Sequence, residues 1–294
     1  MLLKWLETFV KLAENKNFSK TAEELYLTQP SVSHQISQLE KELDVILINR
    51  SYKKFSLTKA GEILYHHSLR ILKNVENLKT AINDLKGLKD GEIIIGASTL
   101  PGEYIIPMII HSFKEKYPNI TINLNIKDSF KCLKELKNGK IEFAIVGTKI
   151  SDKSFQFYEL FKDEIIFINN ISEREIELEQ LKNLPIITRE EGSGTIYTVR
   201  EFLQNKGFFY DSLNFIAKLG SLNAVKEMVK AGLGYSFVSR IAVKEELKEG
   251  KLFEIKIKNV TPISRKFYLV TSKNFSLSPA GKNFIKLLKT KIGV

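Results

Sequence analysis

One cysteine, one tryptophan and four histidines are all that 294 residues contain of those types. A single thiol, Cys132, excludes an internal disulfide and suits a reducing compartment. His34, His66, His67 and His111 stand scattered or adjacent, without HExxH spacing, and one cysteine cannot make a CxxC pair, so no metal-ligand set is legible. The glycines of EGSGT are not followed by GKS or GKT, which leaves nucleotide hydrolysis without its loop. No apolar run reaches the ~18 residues that a membrane-spanning helix needs. The opening MLLKWLETFVKLAENKN resembles a secretion signal at first, but Glu7 and Lys11 interrupt it and no small-residue cleavage site follows. The expected address is the cytoplasm.

What is present is an ordinary globular balance, 43% hydrophobic and 27% charged, in a chain long enough for about two domains. The net charge of +11 favours an anionic partner. Residues 1–60, however, hold nine Lys/Arg against seven Asp/Glu, so most of the excess lies further along.

The first sixty residues read as short helices. Residues 3–14 are amphipathic, with Leu3, Leu6, Phe9, Val10 and Ala13 inward. Phe18 and Ser19 read as hydrophobic staple and N-cap of a second helix ending near Leu25. After a tight turn, TQPSVSHQISQLEKEL starts a third, with Thr28 as N-cap and Pro30 in its first turn. Val32, Ile36, Leu39 and Leu43 make its buried stripe. Its other face opens with Gln29, Ser31, Ser33, His34 and Gln35, short or amide-bearing groups where a solvated helix would show Lys and Glu. Two helices joined by so short a turn match a helix-turn-helix. Val45 to Leu57 reads as a basic hairpin, a wing, with Arg50, Lys53 and Lys54 at its tip.

Lys59 to Leu88 reads as one long helix. Leu64, Ile71, Val75, Leu78, Ile82 and Leu85 hold a heptad a/d pattern with Ser68 as its polar member, which points to pairing of two chains. KGLKDG then breaks the helix. Beyond Gly91, short apolar strands (EIIIGA, TINLNI, EFAIVG, EIIFI, PIIT, NFIAKL, YSFVS, KFYLVT) alternate with helices, which implies parallel sheets covered by helices.

FSKTAEELYLTQPSVSHQISQLEKELDVILINRSYKKFSLTKAGE resembles the winged helix-turn-helix of LysR-type transcriptional regulators, and the likeness covers essentially the whole chain. Asp44 stands where the family often has Gly, and Ile48 where Phe is common. STLPGEY and REEGSGT are similar to the branch that includes regulators of sulfur, sulfite and selenium metabolism.

The resemblance implies an α/β protein in three parts. A winged helix-turn-helix occupies 1–58 and a dimerisation helix 59–90. A two-lobed domain of the periplasmic-binding-protein architecture occupies 91–294, with lobe I at about 91–162 and 268–294 and lobe II at about 163–267. It makes Thr28, Gln29, Pro30, Ser31, Ser33, His34 and Gln35 the base-reading positions, where amides suit adenine and hydroxyls suit bases or phosphates. Arg50, Lys53 and Lys54 would neutralise flanking phosphates. Paired reading helices on a two-fold axis should read an inverted repeat, and the family adds a tetramer of two dimers that bends DNA and contacts RNA polymerase.

No cofactor, metal site or catalytic residue is expected; a small anionic effector is. In open sheets ligands sit beyond strand carboxyl ends, where helix starts point inward. Ser98 and Thr99 follow EIIIGA; Gly192, Ser193, Gly194 and Thr195 follow PIIT. Bare N–H groups and a helix dipole there suit an anion. Ser129 and Ser221 open or cap further helices, and Thr148 lies just past EFAIVG. The alternative is a constitutive, oligomeric architectural DNA-binding protein with no ligand.

Overall fold

The computed structural model describes residues 1–49, 55–84, 91–172 and 175–293. Helices α1 (Leu2–Asn15), α2 (Phe18–Glu24) and α3 (Gln29–Leu43) pack around Leu6, Phe9, Leu12, Val32, Ile36 and Leu39. Two strands, β1 (Ile48–Asn49) and β2 (Ser56–Leu57), pair antiparallel as the base of the wing. The tip, with Arg50, Lys53 and Lys54, lies outside the described residues.

Several local expectations change. Leu12 is wholly buried while Leu3 is 42% exposed, because α1 packs on α2, α3 and α4 and so buries a wider arc than one stripe. Asn17, not Ser19, caps α2, its side-chain oxygen accepting from the Lys20 N–H. Leu43 is exposed: the chain turns away at Asp44, and Leu47 and Ile48 fill the core beyond Leu39.

Helix α4 (Lys59–Asp84) is capped by Thr58, whose hydroxyl accepts from the Gly61 N–H at 3.0 Å and donates to the Ile46 carbonyl at 2.7 Å. A Cβ on Gly61 would lie 2.2 Å from the Leu47 carbonyl oxygen, so only glycine fits where wing and long helix meet. The heptad seam is not uniform. Ser68 is completely buried and Leu64 half-buried within their own chain, whereas Ile71, Leu78 and Ile82 are 42%, 59% and 53% exposed. Leu85 falls outside the described residues.

The remainder is built on β3 (Gly91–Ala97), β4 (Ile120–Ile126), β5 (Phe143–Val146), β6 (Phe155–Asn169), β7 (Glu175–Ile176), β8 (Ile186–Arg189), β9 (Phe215–Leu219), β10 (Ser236–Ser239), β11 (Phe253–Ile257) and β12 (Ile263–Ser272). Its helices are α5 (Ile106–Lys116), α6 (Ser129–Lys137), α7 (Gly194–Asn205), α8 (Leu222–Lys230), α9 (Lys244–Lys248) and α10 (Pro279–Ile292). β3 runs parallel between β4 and β5, and β8 runs parallel to β9, as strand-helix alternation requires. The sheet is nevertheless mixed. β6 and β12 pair antiparallel along nearly their whole lengths and pass through both lobes, joining them side by side.

Lobe I packs Ile93, Ile95, Phe113, Phe143 and Phe284 on one face of this sheet. Lobe II has two cores, one around Phe167, Leu203 and Ile255, the other around Ile168, Ile187, Val225 and Val238. Leu100 belongs to that last core and Tyr104 packs against it, although both sit at the start of a lobe I helix. A π turn, Pro101–Ile105, leads into α5 and carries the pair across.

Candidate DNA-reading helix and effector cleft

The Thr28 hydroxyl accepts from the Ser31 N–H at 3.3 Å and lies 2.8 Å from the Ser31 hydroxyl, so the helix start is capped as its sequence required. Thr28, Gln29, Pro30 and His34 are exposed; Ser31, Ser33 and Gln35 are half-buried. Two of these groups are held by neighbouring helices. Ser19 donates to the Gln29 amide oxygen at 3.2 Å, and Thr8 donates to the Gln35 amide oxygen at 2.7 Å. The Gln35 oxygen is therefore committed to α1 and ties α3 to the core. The Glu40 carboxylate accepts from the Leu47 and Ile48 N–H groups at 2.9 and 3.3 Å, tying the wing to the same helix. Asp44 ends α3 in the left-handed conformation at φ 52°, which explains a glycine preference there.

Between the lobes lies a cleft of about 580 Å³. Ser98, Thr99, Ser129, Gly192, Ser193, Gly194, Thr195 and Ser221 all border it. Thr148 does not; its neighbour Gly147 does, lying where a Cβ would come 3.0 Å from the Phe267 ring. The chain thus brings the starts of three helices, α6, α7 and α8, and the segment before the π turn to one space.

The serines divide by role. Ser221 caps α8 through the Ala224 N–H at 3.4 Å. Asp128, not Ser129, caps α6, accepting from the Lys131 N–H at 2.8 Å, and Ser129 is the first helical residue, nearly buried. Ser193 precedes α7 with no capping bond from its hydroxyl, beside Gly192 at φ 98°. The Ser98 N–H is already used by the Ile145 carbonyl at 2.9 Å.

The cleft's cations were not legible in the sequence. Arg265, on β12, has a side chain only 8% exposed. It donates from Nε to Asp163 at 3.0 Å and from Nη1 to Thr195 at 3.2 Å, and stacks 4.7 Å from the Phe267 ring centre. Burial pulls its pKa down, and the Asp163 charge opposes that. Ser239 donates to the other Asp163 oxygen at 2.8 Å, so both oxygens of the buried carboxylate have partners at the cleft floor. Arg189 ends β8 half-buried, and its Nε is inaccessible to water yet has no hydrogen-bond partner. Burial lowers its pKa too, against Glu190 and Glu103. Both arginines sit singly in strands, where nothing in sequence distinguishes them from solvated ones. Among the described residues no group of three His, Cys, Asp or Glu could hold a metal ion. No described helix is long and apolar enough to cross a membrane.

A winged helix-turn-helix carried on a long helix with a two-lobed, cleft-bearing domain defines a DNA-binding protein with its own small-molecule domain. Residues 3–62 match the family described as "Bacterial regulatory helix-turn-helix protein, lysR family", and residues 86–293 match "LysR substrate binding domain". The chain is 31% identical over 287 residues to the HTH-type transcriptional activator CmpR of Synechocystis sp., covering 96% of this chain and 93% of that protein. Its fold is shared by full-length CbnR complexed with its target DNA, at TM-score 0.65 and 17% identity over 99% of both chains. It is also shared by the effector binding domain of QuiR in complex with shikimate, at TM-score 0.60 and 19% identity, covering 70% of this chain and 98% of that one. The chain belongs to the LysR family: it is a DNA-binding transcriptional regulator with an effector-binding domain, rather than an enzyme.

Proposed function

We propose that a small anion bound between the lobes sets how this regulator holds its promoter. The observation that carries this is convergence: eight of the nine polar and glycine positions expected from sequence, drawn from four separate segments, border one cleft. Helix starts and the partnerless Arg189 Nε favour negative charge there. Ser98, Thr99, Ser129, Ser193, Gly194, Thr195 and Ser221 would contact the anion, with Gly192 shaping the loop and Thr148 outside it. Gln29, Ser31, Ser33 and His34 would read bases, with Thr28 and Pro30 beside them, Gln35 positioning the helix, and Arg50, Lys53 and Lys54 on phosphates. The exposed Ile71, Leu78 and Ile82 would pair two chains, and two such pairs would form the working tetramer in the cytoplasm, where promoter DNA lies.

Effector binding re-spaces the paired reading heads and alters promoter bending or contact with RNA polymerase. An effector acts this way only by binding the two arrangements with different affinity. STLPGEY and REEGSGT resemble the sulfur-linked branch, so sulfate, sulfite, thiosulfate and selenite belong in the test beside small carboxylates. Thermal shift of the full chain with each anion should show stabilisation by at least one, and that anion should change the DNA footprint. No stabilisation, together with footprints indifferent to every anion, would establish the architectural alternative.

A further inference from the structure

Most of the charges around the cleft already have partners inside the protein. Arg265 holds Asp163, Lys131 pairs with Asp128 at 2.9 Å, Lys127 pairs with Glu135, and Lys218 reaches Glu191 at 3.8 Å. Three lining side chains form no ion pair among the described residues: Arg189 and Glu190 from lobe II, and Glu103 from lobe I. The free set is thus one cation and two carboxylates, divided between the lobes.

That set suits some anions and opposes others. Sulfate at neutral pH presents only acceptors. The Arg189 guanidinium and helix-start N–H groups can serve it, but ionised Glu103 and Glu190 can only accept, so they face it with like charge and no hydrogen bond. A ligand that also bears hydroxyl or ammonium hydrogens turns both carboxylates into partners. Glu103, Arg189 and Glu190 all line the same cleft, which places the three groups around one shared space.

We infer that the cleft takes an organic anion that also carries hydrogen-bond donors, its acidic group on Arg189 and the helix starts, its hydroxyl or ammonium groups on Glu103 and Glu190. This rests on reading the cleft as the effector site. It predicts that oxyanions without donors, such as sulfate and thiosulfate, are poor ligands.

The test uses the full chain and matched probes in calorimetry and thermal shift: succinate against L-malate for the hydroxyl, succinate against L-aspartate for the ammonium, and sulfate. Glu103 and Glu190 are exposed, so Glu103→Gln with Glu190→Gln leaves the core untouched. Malate or aspartate should bind at least about tenfold more tightly than succinate, and the double variant should erase that preference while binding sulfate about tenfold better than the parent. Arg189→Gln should weaken every probe, which locates the binding. Succinate or sulfate binding the parent as tightly as the donor-bearing acids, unchanged in the double variant, would overturn the inference and leave the anion site standing. Binding of no probe by either protein would overturn both.

Discussion

Asp163 has no exposed side-chain surface, and Arg265 is its only charged neighbour in an ion pair among the described residues. Removing the arginine strands a buried carboxylate, so Arg265→Met should cost about 3–5 kcal/mol in a denaturant melt. Adding Asp163→Leu should recover much of that loss, since a well-packed apolar pair often replaces a buried ion pair without penalty. Glu142 offers a second test, in pH. Burial raises its pKa above the ordinary 4.5, against the Ser278 N–H and hydroxyl, which donate to it at 3.0 and 2.7 Å. An acid whose folded pKa is raised gives stability that is complete below 4.5 and is lost as pH rises through the folded value. Glu142→Gln keeps an acceptor for Ser278 and should flatten that limb, so chemical melts between acid and neutral pH should show less loss than the parent. Gly61→Ala pushes a Cβ against the Leu47 carbonyl and should cost about 1–3 kcal/mol in the same melt.

The elements differ in how plainly they were written. The Thr28 cap and the Val32, Ile36 and Leu39 stripe were legible because each depends on neighbours a few residues away. β6 was only half legible: EIIFI reads as a strand, but the preceding FQFYELFKD carries charges on its open face and gains its order from β12, about a hundred residues distant. The anchoring of Leu100 and Tyr104 in the other lobe has no local signature either. For the cleft, the hydroxyl and glycine positions were legible at strand ends, whereas Arg189 and Arg265 gain meaning only when lobe II closes around them. At this scale the exposed half of α4 makes its own prediction. Leu78→Asp with Ile82→Asp should leave melting of the effector lobes unchanged, while light scattering shows monomers in place of dimers.

For the whole molecule, β6 and β12 act as a shared spine, and the Leu100–Tyr104 anchor limits how far the lobes can move apart. Leu100→Ala should cost about 2–5 kcal/mol by cavity formation in the lobe II core. Whatever the cleft binds, its signal reaches promoters only if α3 reads sequence from a paired scaffold. The most direct measurement is selection of bound duplexes from random DNA by the full chain, repeated with Gln29→Ala plus Ser33→Ala. The parent should enrich an inverted repeat whose half-sites lie about one helical turn or a multiple apart, and the variant should lose it while remaining folded and dimeric. Enrichment of no motif by the parent, or of the same motif by the variant, would contradict the account.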